Sequence, residues 1–368
     1  MLPVKYIAGL CALLILYYHY RTWNVDHAVG PSAPVDTQSL ETWLARGEMP
    51  EERPTYAHVE TPAADTPADT PADTPLVIPL ETTKSQLSPS ATGPSGIPKK
   101  IWYKLGAKGL SDDARSWTST CISQNAGYRV EFLTDESADE FVREKYADRP
   151  EIVETYLALT VPILKADLLR YLLLYAEGGV WFDLDVSCEG IPIEEWIPEE
   201  FEDDVSLVVG WEFDAGYDFI FPRQFTTWTV MAGKGVPHLM AVVDDIVQSM
   251  AEVARKNNAT ISQLKMGMVG DVVEFTGPLR FAESVTKSLG PSLDENDDWD
   301  GWDDYHKLLE PKLAGDLLIL PGYALAASVN TYEEEDQDRV GPSLVVHHYA
   351  GSWKNDYGGE KAEERRRQ

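Results

Sequence analysis

The stretch from Asp167 to Asp185 limits what this chain can fold into more than any other. Leu168, Leu169, Leu172, Leu173 and Tyr175 recur at helical spacing and need burial, while Asp167 and Arg170 lie three apart and share one face. Gly178-Gly179 breaks the helix, and Val180-Trp181-Phe182 reads as a buried strand. That strand delivers two carboxylates, Asp183 and Asp185. Side chains two apart on a strand face the same side, and at a strand end the turning backbone lets both converge. Such a pair suits a hard divalent cation, Mg²⁺ or Mn²⁺, which prefers oxygen ligands and completes its shell from substrate phosphates. An isolated D-x-D is more often a pair of solvated turn residues; the helix, glycine break and strand before it are what raise it above that. An Arg on so apolar a helix needs an anion or a carboxylate. An Asp167–Arg170 pair on an exposed helix would contribute only ~0.3–0.5 kcal/mol.

From residue 97 onward, strand-like and helix-like pieces alternate, as in an α/β domain with a mixed, mostly parallel central sheet. Residues 100–103, 128–132, 205–209 and 317–320 read as strands. Residues 111–125, 138–146, 152–159 and 238–254 read as helices. The 368 residues fit one body of about 250 to 270 residues plus appendages. A formal charge of −30 argues against nucleic acid as a partner, because phosphate binding needs a basic footprint. Any diphosphate must then be met by a metal or by local basic groups.

Three cysteines are present. Cys11 lies in an apolar run. Cys121 and Cys188 are in the body, where a bond between them is compatible with an oxidising lumen and is not required by their spacing.

The first 97 residues divide in two. Residues 1–21 read as a short tail and signal-anchor, apolar from Tyr6 to Tyr18 between Lys5 and Arg21. The roughly 15 residues between those charges span about 22 Å as a helix, suited to a thin early-secretory membrane. A cleaved signal peptide is the competing reading, opposed by bulky Tyr17, Tyr18, His19 and Tyr20 where small residues would be needed. Residues 22–97 read as a Pro/Thr-rich disordered stem, with Ala-Asp-Thr-Pro repeating to Pro67, Pro71 and Pro75. Residues 98–368 form the body. Asn258-Ala259-Thr260 is an N-glycosylation sequon, usable only on a lumenal face.

An ordered set of segments carries a resemblance. It comprises Asp167…Arg170, Gly178-Gly179 and Asp183…Asp185, preceded by Ile97-Pro98-Lys99-Lys100-Ile101-Trp102. It continues with Val208-Val209-Gly210-Trp211-Glu212, the run from Gln224 to Thr229, Phe275-Thr276-Gly277-Pro278 and the run from His347 to Lys354. The set resembles glycosyltransferase family 32, in its fungal initiation-specific alpha-1,6-mannosyltransferase-like branch, over most of residues 98–354. The resemblance implies a GT-A type nucleotide-sugar fold and a metal-dependent, retaining transfer of mannose from GDP-mannose to a mannose-containing glycan. It places the chain in the Golgi or ER membrane as a single-pass type II protein, with a Golgi transferase complex as a candidate partner. It assigns Asp183, Asp185 and His348 to Mn²⁺ or Mg²⁺, and Asp167 and Arg170 to the donor's hydroxyls with Lys165 in support. Gly277 would border the sugar, Trp102 the nucleobase, and Ser352, Trp353 and Lys354 the phosphates. Trp102 reads equally as a core residue, and His347 and His348 as a strand-end pair. Glu212 and Asp214 are the remaining carboxylates suited to acceptor hydroxyls. One departure is Trp181-Phe182, which stands where branch members often carry a small or polar residue. Outside that reading stand a related enzyme with another acceptor, such as an inositol-phosphoceramide lipid, and a catalytically silent glycan-binding module.

Overall fold

The computed structural model describes residues 96–216, 223–290 and 302–351. The anchor and stem expected over residues 1–97 lie almost wholly outside the described residues, as do Ser352, Trp353 and Lys354. Among the described residues, no helix is long and apolar enough to cross a membrane.

The chain alternates as expected. Strand β1 (Lys100–Lys104) is followed by α1 (Asp112–Gln124), β2 (Arg129–Leu133), α2 (Asp135–Lys145) and α3 (Pro150–Ala158). Then come α4 (Pro162–Glu177), β3 (Gly179–Phe182) and β4 (Val186–Cys188). The second half contributes β5 (Leu207–Gly210), β6 (Thr229–Ala232), α5 (Pro237–Lys256) and α6 (Pro278–Leu289). It closes with β7 (Lys312–Ala314), β8 (Leu317–Leu320), α7 (Gly322–Ala326) and β9 (Val345–His347).

Seven strands form one sheet in the order β2-β1-β3-β6-β5-β8-β7, while β4 and β9 make a separate antiparallel pair. β1, β2, β3, β5 and β8 run one way, and β6 and β7 run against them. The sheet is therefore mixed and mostly parallel. Alternation along the strands feeds two cores. Trp102, Trp181, Leu207, Val209, Val230 and Ile319 join the core that holds α4, α5 and α6. Ile101, Tyr103, Val180, Phe182, Val208 and Leu318 join the opposite one, with Cys121 of α1 and Leu325 of α7. A sheet covered on both faces needs continuously apolar strands, which explains why β3, β5, β6 and β8 are buried at every position.

Local chemistry sets the element ends. The Ser111 side chain accepts from Ala114 N to start α1, and Thr134 with Ser137 forms a reciprocal capping box on α2. α4 begins with Pro162 in its first turn and is buried around nearly its whole circumference, Asp167 and Arg170 included. Each of its fully buried leucines contributes on the order of 2 kcal/mol.

Gly178 and Gly179 have φ of +65° and +103°. A Cβ on Gly179 would stand 2.5 Å from Lys100 O, so only glycine lets β3 lie against β1 as it leaves the helix. The indole N–H of Trp102 donates to Gly178 O at 2.9 Å and pins the same corner. Gly179→Ala is expected to destabilise the fold by about 1–3 kcal/mol from backbone strain alone, and by more as β1 is displaced. A chemical-denaturation midpoint equal to the parent's would contradict this account of the corner.

Candidate active site

The ends of β1, β3, β5 and β8 lie at one edge of the sheet, and the Asp183–Asp185 turn stands at the end of β3. Ligands of open α/β sheets bind in this kind of crevice. Asp183 N continues the β3–β6 ladder to Trp228 O at 2.9 Å, and Val186 N closes the turn on Asp183 O at 3.2 Å.

Asp183 is held by a buried apparatus. Arg170 donates through Nη2 to Asp183 Oδ1 at 3.0 Å and through Nη1 to Asp167 Oδ1 at 2.9 Å. The Trp181 indole N–H donates to the same Asp183 oxygen at 2.7 Å, and the Arg170 guanidinium lies 5.1 Å from the Trp181 ring centroid. Thr276 Oγ1 donates to Asp167 Oδ2 at 2.7 Å, and Tyr171 OH to Thr276 O at 3.0 Å. Asp167 and Arg170 are 4% and 3% exposed. Burial works against the Arg170 charge, but Asp183 and Asp167 more than offset it and hold the guanidinium above its ordinary pKa. Burial pushes the Asp167 carboxyl up, against the pull of Arg170 and Thr276. This is not the weak exposed ion pair of an amphipathic helix: removing one partner of a buried pair costs about 3–5 kcal/mol. Nor could Lys bridge two carboxylates with a planar fork.

Asp167 and Arg170, which the resemblance assigns to the donor's hydroxyls, thus meet Asp183 and Thr276 inside the protein. Lys165 does not support them; it pairs with Asp139 Oδ1 at 2.8 Å. Gly277 begins α6, and a Cβ there would meet Val272 O and Val273 Cα at 3.0 Å, so its smallness keeps Thr276 in place.

Asp185 faces the other way. Its Oδ1 lies 3.3 Å from His347 Nε2, its Oδ2 accepts from Ala350 N at 2.9 Å, and its backbone oxygen accepts from His348 N at 2.8 Å. Burial raises this carboxyl, but His347 and the Ala350 N–H outweigh it, and the net shift is below the usual range. The β4–β9 register sets Val186 opposite His347. Neighbours on a strand point to opposite faces, so only one of the two histidines can meet Asp185, and it is His347. His348, expected at the metal, instead bonds Ser187 Oγ through Nε2 at 2.8 Å and stacks on Trp117 with centroids 4.3 Å apart.

Helix α1 backs this strand pair. Cys121 and Cys188 are disulfide-bonded, Cys188 N donates to Thr120 Oγ1 at 2.8 Å, and Gln124 Nε2 donates to Cys188 O at 3.0 Å. The bond that the sequence left open therefore sits three residues after Asp185.

Three other expectations meet the structure differently. Trp102 is 1% exposed and belongs to the core; a nucleobase could not reach it without opening the sheet. Asp214 is buried as an anchor, accepting from Lys307 N at 2.6 Å and Tyr332 OH at 3.4 Å. Glu212 is buried too, accepting from Gln224 Nε2 at 2.6 Å. Burial, opposed by Gln224 and His347, pushes its carboxyl up to about 7.

Among the described residues, no three His, Cys, Asp or Glu side chains are gathered around one point. The donor set nevertheless fits a hard cation held by few protein ligands. The described side-chain contacts of Asp183 all fall on Oδ1, so its Oδ2 is not used by them, and His347 has a buried Nδ1 without a partner. Asp183 and Asp185 would hold such an ion, with diphosphate and water filling its shell.

Two carboxylates, each held by its own partners, stand where the parallel strands of a mixed α/β sheet end, which is where such sheets bind ligands. Residues 111–202 match the family model described as "Glycosyltransferase sugar-binding region containing DXD motif". The chain is 28% identical over 284 residues to the initiation-specific alpha-1,6-mannosyltransferase of Candida albicans, covering 71% of this chain and 73% of that protein. It is 30% identical over 275 residues to the protein of the same name in Schizosaccharomyces pombe, covering 71% and 64%. It is 30% identical over 274 residues to the putative glycosyltransferase HOC1 of Saccharomyces cerevisiae, covering 70% and 66%. The chain thus spans about two thirds of the length of the last two. It is a glycosyltransferase, and it carries the DXD-containing sugar-binding region of the family-32 type.

Glu212 generates a pH prediction. Its folded-state pKa is raised from 4.5 to about 7, so the stability tied to its neutral form is complete below 4.5 and lost as pH rises through about 7. The loss amounts to at most about 3 kcal/mol. Glu212→Gln is expected to lose several degrees less in melting temperature between pH 5 and pH 8 than the parent. Parallel declines in the two proteins would show that Glu212 does not carry the effect.

Proposed function

We propose that the enzyme transfers mannose from GDP-mannose to a mannose-containing glycan, in alpha-1,6 linkage and with retention of anomeric configuration, using Mn²⁺ or Mg²⁺. The observation that carries this reading is the Asp183–Asp185 turn, with one carboxylate fixed by Arg170 and the other by the β9 segment. The names of the fungal relatives support the sugar and the linkage.

In this reading the anomeric carbon–phosphate oxygen bond breaks as a bond to the acceptor oxygen forms on the same face. The acceptor's proton goes to the departing phosphate oxygen. A bound cation supplies Lewis-acid neutralisation of the charge growing on the diphosphate. Asp183 and Asp185 hold that position, and Arg170, Trp181 and Asp167 keep Asp183 from rotating away. No side chain is required as a covalent nucleophile; positioning supplies much of the acceleration.

The same proposal assigns residues 1–21 to a membrane anchor, 22–97 to a stem and 98–368 to a lumenal catalytic domain in the Golgi or ER. The Cys121–Cys188 bond supports an oxidising compartment. The sequon lies in the turn after α5, where Asn258 is exposed.

Asp183→Asn and Asp185→Asn preserve shape and most hydrogen bonds, so Arg170 is not left facing an empty corner. Each is expected to lower metal-dependent consumption of GDP-mannose by about 10²-fold or more with a near-parental melting curve. Parental turnover in both variants would refute the assignment. A screen of nucleotide sugars against mannosylated acceptors, reading the bond formed, decides the donor and the linkage.

A further inference from the structure

Tyr349 is a feature of the site that donor binding leaves unexplained. Its φ is +49°, in the left-handed region that a bulky residue rarely occupies. It is clamped there from both sides by one residue: His348 N donates to Asp185 O at 2.8 Å and Ala350 N donates to Asp185 Oδ2 at 2.9 Å. Strained backbone of this kind persists where the surroundings enforce it and clusters at ligand sites.

The side chain that this turn presents is a large ring, 36% exposed. Among the described residues, the only other large hydrophobic side chain so exposed is Met268, on a short helix of residues 266–269. The Tyr349 ring rests on His347, with centroids 4.1 Å apart, and against Trp228 edge-to-face at 5.8 Å. Trp228 stacks on His347 at 4.2 Å and 17°. Three rings therefore form a continuous ledge beginning beside Asp183 and ending in solvent beside Asp185.

We propose that Tyr349, backed by His347 and Trp228, is the stacking platform for the acceptor's pyranose ring. A pyranose has an apolar C–H face and a rim of hydroxyls, so it packs on an exposed aromatic face while its rim remains hydrogen-bonded. The ledge lies on the acceptor side of the crevice. The switch in strand order falls between β1 and β3, and in open α/β sheets the nucleotide occupies that switch point. Trp228 instead enters β6, on the opposite flank of β3, and next to it β5 runs out into Trp211 and Glu212. Asp183 meets α4, whereas Asp185 meets His347 and the 348–350 turn, so the Tyr349 ring stands next to the acid on the side away from α4. This proposal rests on the reading of Asp183 and Asp185 as the donor site.

The test uses the full-length enzyme with Tyr349→Gly and Tyr349→Phe, varying GDP-mannose and a mannose-containing acceptor separately. Glycine adopts φ +49° without strain, so its effect reports the lost ring and not a distorted turn. Tyr349→Asn, which also tolerates that region, gives a second ring-less variant should glycine loosen the segment. The expected result is an acceptor KM raised about tenfold or more in the Gly and Asn variants, a GDP-mannose KM within about threefold of the parent, and near-parental values for Phe. An unchanged acceptor KM would overturn the proposal. So would a donor KM that rises in step with it, which would give the ring to the donor sugar, or a Phe variant as impaired as Gly, which would give the role to the hydroxyl. Consumption of GDP-mannose by the unsubstituted enzyme tests the underlying donor reading, and the two failures are thereby told apart.

Discussion

The site depends on one guanidinium. Arg170 bridges Asp167 and Asp183 with two nitrogens of the same planar group, in surroundings that exclude nearly all water. Buried charge is stable only when paired with good geometry, and here the pairing links two neighbouring segments to a third that lies 109 residues away. α4 supplies Asp167 and Arg170, the β3 turn supplies Asp183, and Thr276 before α6 closes the network through its hydroxyl. An apolar helix with a charged pair at its centre and a strand ending in a carboxylate are one device. The helix delivers the charge, and the charge orients the carboxylate.

The two acids of the D-x-D have different neighbours and different tasks. Asp183 is tied to the helical side of the sheet, through Arg170 and Trp181. Asp185 is tied to the C-terminal strand pair, through His347 and the 348–350 turn. The Asp183–Asp185 turn is held firmly because each acid has its own support. The disulfide adds a third tie, fastening β4 to α1 a few residues beyond Asp185, so the turn is braced from three directions. Motion of the segment after β9 would be felt first at Asp185, because that residue holds the turn by both its backbone oxygen and its carboxylate.

Much of the body was legible in sequence because period and punctuation are local. The apolar spacing from Leu168 to Tyr175, the Gly-Gly break and the strand after it fixed α4, β3 and the Asp183–Asp185 turn. Strand 317–320 and the helix expected over 111–125 were also legible, while the Ser111 cap that starts the helix became visible only in the structure. Partners distant in sequence were not legible. Nothing in His347-His348 says which ring meets Asp185, since that depends on the Val186–His347 register between strands some 160 residues apart. Trp181 stood out only as a departure from the residues that branch members often carry, whereas its indole N–H secures Asp183. Trp102 has the composition of a base-stacking residue and the burial of a core one. Thr276 was visible only as the neighbour of a turn, because a hydroxyl's partner lies in three dimensions and not in spacing.

The most direct test of the central claim is a high-resolution structure of the protein with Mn²⁺ and GDP bound. The account predicts a cation at Asp183 and Asp185, with Arg170 still within hydrogen-bond reach of both Asp167 and Asp183 Oδ1. A cation lodged elsewhere, or an Asp183 turned away from Arg170 when the nucleotide binds, would contradict it.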